Sequence, residues 1–575
     1  MKRITFGTPE KFTPAKYCKG LSYNETEVKY PINDIEFKVN NRGCILKLPL
    51  TQAEQIYGLG LQLMGFNHKW RKLTLRVNAD PVTRAGDSHA PVPFFVSTDG
   101  YGIYIDTARY AEFYIGSSKL LDDKSEKEEI KEKKIAMSVE ELYSADDNTG
   151  SNISIQIPVA KGIDVYIFEG ENITDIVSQY NMFSGGGCDV PEWSLEPIYR
   201  CNAKSTWRDV LITADYFIKN DIPIKTLGLE PGWQSASYSC SYTWDSERFS
   251  EYEKMINKLI SMGFHINLWE HAFVHPTAPF YNEIKKYSGD YEVWKGCVPD
   301  FSIEKAQEIF AEHHKKLTAL GIDGFKLDEC DSSDYGSCWS FPNLSEFPSG
   351  LDGEQYHSLF GVLYMQAVSK ALGDKPFLSE VRSAGALAAS YPFVLYSDLY
   401  DHRQFVRGCC NSGFSGLLWT PEVRDAENKE EFLRRLQSNI FSVQCIINAW
   451  YCEKLPWLDF DCENEIRELL YERKKLKPIL KKAFENYKSK GIPPVRALVS
   501  DYTYDKETYN IDDEYLLGEN LLVAPVIYGE KGRKVYIPEG SWQNYFTKER
   551  VESGWNEVIT DFIPVYEKNL KERVF

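Results

Sequence analysis

Three regimes of hydrophobic patterning divide the chain. Over residues 1–196 apolar residues come in short runs, among them FKVNNRGCILKLPL, KLTLRVN, VPFFVST and GIYIDTA, which are rich in β-branched and aromatic side chains and separated by Gly, Asn and Asp. Short strands punctuated by turn residues predict an antiparallel β-sandwich. The charged run DDKSEKEEIKEKK (122–134) reads as a solvated excursion from it. From 197 to 494 the apolar period lengthens to three or four residues, broken by short strand-like runs. In SEYEKMINKLISMG, residues Met255, Ile256, Leu259 and Ile260 form one stripe, Ser250 and Glu253 are spaced for a capping box, and Gly263 sits where a helix stops. The strand-like FHINLW follows. SIEKAQEIFAEHHKKLTALG places Ala306, Ile309, Phe310, His313, Leu317 and Leu320 on one face, then Gly321 and the strand GFKLDE. YHSLFGVLYMQAVSKALG leads through Gly373 into PFLSEVRS.

Helix–strand alternation over about 300 residues predicts a parallel sheet closed as a (β/α)8 barrel, an α/β fold. An open doubly wound sheet is the alternative, but no glycine-rich phosphate loop opens any of these helices. From 495 to 575 the pattern returns to β, with EYLLGENLLVAPVIYG, KVYIPEGSWQNYF and DFIPVY predicting a small C-terminal sheet domain.

Charge narrows the partners. The 84 acidic against 66 basic residues leave a net charge of −18, which disfavours nucleic acid and anionic membranes. No apolar run reaches the roughly 18 residues of a membrane span, and the opening segment lacks the apolar core of a secretory signal, so a cytoplasmic protein is expected. The 13 cysteines form no CxxC pair and read as reduced, packed thiols. Neither a metal motif nor a cofactor motif is present, so none is expected.

The chemistry-bearing stretch is GIDGFKLDECD, residues 321–331. Strand alternation turns Phe325 and Leu327 one way and Lys326 and Asp328 the other. In a barrel the charged pair faces the lumen at the C-terminal end of a strand, where active sites of this architecture lie. The further acids Glu329, Asp331 and Asp334 fit capping of the next element. In PFLSEVRS, Glu380 and Arg382 share a face. YPFVLYSDLYDHRQFVRG then offers Asp398 and Asp401, of which Asp401 also fits a helix N-cap. In LGLEPGWQ, Gly228 and Glu230 face inward, and Trp233 reads either as a stacking platform or as core. Acids from several strand ends, with aromatics and no phosphate loop, suit glycoside hydrolysis by a carboxylate pair. Two other classes fit less of the pattern: a Lys326 base beside carboxylate ligands for Mg²⁺, as in enolase-type barrels, and a non-catalytic sugar binder.

GFKLDE followed by RSAGALAASYPFVLYSD and FSGLLWTPE resembles glycoside hydrolase family 31, the retaining α-glycosidases. The glycine turn from Ile56 to Gly60, the Asn78-Ala-Asp80 pair and VPFFVSTDGYGIYID in the first domain, and YLLGENLLVAPVI with VYIPEGSW in the last, are similar to that family in the same order. The resemblance makes Asp328 the nucleophile and Asp398 the acid/base, with Asp401 as the alternative because Tyr396-Ser397-Asp398 stands for the usual Trp-Ser-Gly-Asp. It implies that Glu230, Trp233, Lys326, Arg382, Glu422, His402 and Asp80 surround a small glycoside or oligosaccharide substrate. Glu230 replaces an Asp that the family's glucosidases hold after strand one, Glu422 replaces the Asp of Asp-Ile-Gly-Gly-Phe, and Lys326 stands where glucosidases carry Trp and the xylosidase and galactosidase branches carry Lys. These departures shift the expectation from an α-glucoside to an α-galactoside, with α-glucosidase or α-xylosidase as the alternative. A raised pKa is expected for the acid/base, which must hold a proton at rest.

Overall fold

A computed structural model describes residues 1–78, 83–117, 150–331, 339–398, 401–424 and 426–568. The charged run at 122–134 and Asp80 lie outside the described residues.

The N-terminal sandwich consists of two five-stranded antiparallel sheets. One carries Lys2–Thr8, Lys161–Glu169, Tyr101–Ile105, Phe94–Ser97 and Ile56–Gly58; the other carries Glu36–Val39, Gly43–Pro49, Asn152–Pro158, Ala111–Ile115 and Lys72–Leu75. Period-two burial in Ala111–Ile115 turns Ala111, Phe113 and Ile115 inward. They meet Leu46, Leu48, Ile103, Ile155 and Val165 in the core between the sheets.

Seven parallel strands form the barrel wall: Ile198–Arg200, Thr226–Leu229, His265–His271, Gly324–Asp328, Ser379–Val381, Phe393–Leu395 and Ile446–Asn448. Residues 419–423 bridge in parallel from Leu395 to Trp419 on one side and from Val423 to Ile447 on the other. That segment closes the ring as the seventh of eight staves, so Ile446–Asn448 is the eighth. Helices follow the strands, including Trp207–Lys219, Tyr252–Ser261, Glu304–Ala319 and Gly353–Leu372, whereas no helix separates the fifth and sixth strands among the described residues. No described helix is long and apolar enough to cross a membrane. The C-terminal domain has a six-stranded sheet and a two-stranded ribbon around Leu498, Leu516, Leu522, Val535, Ile537 and Trp542.

Local details depart from the sequence pattern. The helix Tyr252–Ser261 is capped at Glu251 without any side-chain bond, so the Ser250–Glu253 capping box does not form. On Glu304–Ala319 the buried histidine is His314, not His313, because the barrel wall offers it a partner: its Nε2 lies 2.8 Å from Glu270 Oε2. All twelve cysteines among the described residues are free thiols.

Gly228 is needed for close approach. A Cβ there would lie 2.8 Å from Cζ and Nη1 of Arg200, a fully buried side chain that fills the floor of the barrel. Arg200 is tied to Glu230, Asn267 and Glu380 and has nowhere to retreat. Gly228→Ala is therefore expected to lower stability by about 1–3 kcal/mol, read as a fall in the midpoint of thermal unfolding.

Candidate active site at the C-terminal mouth of the barrel

Parallel closure brings the C-terminal ends of all eight staves to one face. Around that ring stand Arg200 (end of strand one), Glu230 (just past strand two), His271 (strand three), Asp328 (strand four), Arg382 (past strand five), Asp398 (past strand six), Glu422 and Arg424 (closing segment) and Asn448 (strand eight). Glu230 thus follows the second strand, not the first, because Ile198–Arg200 already forms a stave.

Asp328 is half-buried, and two donors reach its oxygens among the described residues. Trp269 Nε1 donates to Oδ2 at 2.7 Å, and the backbone N–H of Glu329 donates to Oδ1 at 2.9 Å. Glu329 adopts φ 53°, a left-handed conformation that a non-glycine residue rarely takes and that strand-end functional sites often hold. Burial, then the Asp328 and Asp331 charges, push the Glu329 carboxyl well above its ordinary value.

Asp398 faces the solvent side of the mouth, its side chain 48% exposed. Arg382 Nη1 lies 2.6 Å from its Oδ2, and Arg424 pairs with its Oδ1. Desolvation acts to raise this carboxyl, but Arg382, Arg424 and Lys326 together outweigh it and hold Asp398 well below the ordinary carboxylate range. The raised value expected for the acid/base is thus not found at Asp398, because two guanidinium groups lie against it.

Arg382 is the hub. Its Nε lies 2.6 Å from Asp331 Oδ2, and its guanidinium sits 5.6 Å from the centre of the Tyr396 ring. Lys326 Nζ lies 4.5 Å from the same ring and 3.6 Å from Glu230 Oε1. Below them Arg200 pairs with Glu230, while Glu380 receives Asn267 Nδ2 and Gln444 Nε2, each at 2.8 Å. Burial alone would raise Glu230, but Arg200 and Lys326 bring it below its ordinary value. Glu422 has weaker support: Asn448 Nδ2 is 3.3 Å from both oxygens. Burial pushes Glu422 up to about 7, against the pull of Lys326.

Of the residues singled out from the sequence, Asp328, Asp398, Glu230, Lys326, Arg382 and Glu422 share this mouth. Three others do not join it. Trp233 is fully buried, donates Nε1 to the Trp269 carbonyl at 2.7 Å and packs on Trp244, so it is core and no stacking platform. Asp401 caps the helix His402–Ser412, accepting from the Gln404 N–H at 2.8 Å. His402 is buried between Ser438 Oγ at 2.8 Å and the Tyr528 N–H at 3.2 Å, which occupies both ring nitrogens away from the mouth.

Sequence reading missed Arg200, Arg424, Asp331 and His89. Arg424 stands two residues after Glu422, the same-face spacing of a strand, a signal that was available. Asp331 reads as a cap until Arg382 is seen beside it, and nothing in the sequence points to His89. An aromatic rim also emerges: Tyr238, 52% exposed, has its ring centre 5.5 Å from Trp269 and 5.0 Å from Trp294, and Trp294 lies 6.3 Å from Trp339. These rings suit apolar sugar faces. Among the described residues no group of three or more His, Cys, Asp or Glu is arranged to hold a metal ion.

The Glu422 shift has a sign that stability measurements can read. An acid raised in the folded state contributes fully at pH below its unfolded value near 4.5, and the contribution is lost as pH rises through about 7. The loss over that window is roughly 3 kcal/mol. Glu422→Gln removes the titration, so its unfolding midpoint should gain on the parent as pH rises from 4.5 to 8. A constant difference would mean that Glu422 does not titrate there.

Residues 189–483 match the glycosyl hydrolases family 31 TIM-barrel domain, and residues 491–569 match the family's C-terminal domain. An α-xylosidase of Emericella nidulans is 22% identical over 548 residues, covering 90% of this chain and 65% of its own. α-Glucosidase 2 of Bacillus thermoamyloliquefaciens is 27% identical over 447 residues, covering 71% of this chain and 56% of its own. The chain thus spans less than two thirds of the length of either relative. A Flavobacterium johnsoniae family 31 dextranase complexed with glucose superposes with a TM-score of 0.79 at 20% identity, covering 92% of this chain and 67% of its own. With the barrel match alone covering more than half of its residues, the chain belongs to glycosyl hydrolase family 31.

Proposed function

We propose that the chain is a retaining exo-α-glycosidase in which Asp328 is the nucleophile and Asp398 the acid/base, acting on terminal α-galactosides. The observation that carries the reading is the pair itself: Asp328, oriented by Trp269 and the Glu329 N–H, and Asp398, held by Arg382, stand at the ends of the fourth and sixth strands of one barrel mouth. Asp328 attacks the anomeric carbon as the bond to the leaving oxygen breaks, and Asp398 gives that oxygen its proton. A water then gives its proton to Asp398 and displaces the sugar from Asp328. For Asp398 to carry a proton, its contact with Arg424 has to open as the leaving group enters.

The sugar is argued from the floor. Glucose and galactose differ in the direction of O4. Glu230, one methylene longer than Asp, is pinned between Arg200 and Lys326 and does not swing to follow a moved hydroxyl. Each buried polar group left unpaired by the wrong epimer costs about 1–3 kcal/mol. A second reading, an α-xyloside, is favoured by the Lys326–Glu230 pair together with the likeness to the fungal α-xylosidase.

Asp328→Ala should lower turnover by about 10³-fold or more, whereas a sugar-binding protein has no turnover to lose. Azide should partly rescue Asp398→Ala with formation of an α-glycosyl azide; if instead Asp401→Ala is the rescued variant, the acid/base assignment moves. In a substrate complex the Asp328 and Asp398 carboxyl oxygens should lie about 5–5.5 Å apart, and a gap near 9 Å would mean inversion. Comparison of kcat/KM for nitrophenyl α-galactoside, α-glucoside and α-xyloside tests the sugar, and a clear glucoside preference overturns both readings of the floor.

A further inference from the structure

We propose that His89, a residue of the N-terminal sandwich, is a positioning residue for the acid/base carboxylate Asp398 of the barrel. The inference rests on the glycosidase reading above. His89 is fully buried, and its two ring nitrogens join two separate barrel segments. Nδ1 lies 3.2 Å from Asp331 Oδ2, and Nε2 lies 2.8 Å from Ser397 Oγ. Both contacts lead to Asp398. Asp331 Oδ2 is 2.6 Å from Arg382 Nε, and Arg382 Nη1 is 2.6 Å from Asp398 Oδ2. Ser397 is the residue before Asp398 in the chain. The ring therefore reaches Asp398 by side chains through Asp331 and Arg382, and by the backbone through Ser397.

The donor pattern fixes the ring. A carboxylate only accepts, so Nδ1–H points to Asp331, and in the neutral tautomer Nε2 accepts from the Ser397 hydroxyl. Asp331 Oδ2 then takes two donors, His89 and Arg382, which sets the angle at which the guanidinium meets Asp398. Outer partners of this kind orient the groups that touch substrate. Asp328, by contrast, is held by Trp269 and the Glu329 N–H, and neither of these contacts passes through His89.

Loss of the imidazole should accordingly damage proton delivery and spare nucleophilic attack. The measurement is kcat/KM for two substrates of one sugar: the methyl α-galactoside, whose leaving oxygen needs a proton, and α-galactosyl fluoride, whose leaving group needs far less help. If the parent enzyme prefers another sugar, the same pair is used in that sugar. His89→Ala is expected to lose about tenfold or more on the methyl glycoside and no more than about threefold on the fluoride. His89→Gln, which keeps an N–H within reach of Asp331, should recover part of the loss. Equal losses on both substrates, or no loss on either, overturn the proposal, since a merely structural role would not distinguish leaving groups. Should His89→Ala fail to fold, Ser397→Ala removes the hydroxyl that meets His89 Nε2 and must show the same split; equal losses there overturn the proposal as well. A parent enzyme that turns over neither substrate brings down the glycosidase reading itself, whereas equal losses in an active parent bring down this inference alone.

Discussion

The Arg382 guanidinium ties together three parts of the molecule. It stands just past the fifth strand, pairs with Asp331 beyond the fourth and Asp398 beyond the sixth, and through Asp331 meets His89 of the sandwich. A cation this deeply buried is retained only if its donors are matched, and removing one partner of such a pair costs about 3–5 kcal/mol. The fold around it is constrained accordingly. The sandwich must dock where it does to seal Asp331, and the loop after the sixth strand must return over Tyr396, whose ring lies beneath Arg382 and Lys326.

The same reasoning explains the division of charge in the floor. Glu230, Glu380 and Glu422 are all buried, yet they differ in state. Glu230 has two cations against it and stays below its ordinary value. Burial raises Glu380, and Arg200, helped by the amides of Gln444 and Asn267, only partly offsets it. Glu422 has one amide partner at long range and rises further, to about 7. Local donor supply, not burial as such, decides which carboxyl is an anion. The floor thus holds one fixed anion, Glu230, beside one acid raised to about 7, Glu422.

Asp398 shows how nearby cations set the state of an exposed carboxyl. Asp398 is an anion clamped by two guanidinium groups at rest. Burial acts to raise this carboxyl, and Arg382, Arg424 and Lys326 outweigh it, so loss of any one of these cations would raise it. Arg424 lies 5.9 Å from the ring centres of both Trp450 and Tyr451.

Periodicity by itself determined the three-part architecture and the inward face of the strand Gly324–Asp328, because a period of two or of 3.6 is a local property of a covalent chain. It likewise placed Asp328, Lys326, Arg382 and Asp398 at one mouth once closure was assumed, since a parallel barrel gathers its strand ends. The cap at Asp401 was legible too, since its partner Gln404 is three residues away. What it left open were choices made by partners distant in sequence. Trp233 became core because the Trp269 carbonyl lay within reach of its N–H. Asp331, His89 and Arg424 acquired their places only when segments up to 308 residues apart came together, as His89 and Ser397 do. A charged side chain shows in the sequence which ions it can pair with, but which pair forms is decided by the geometry that removes water from between them.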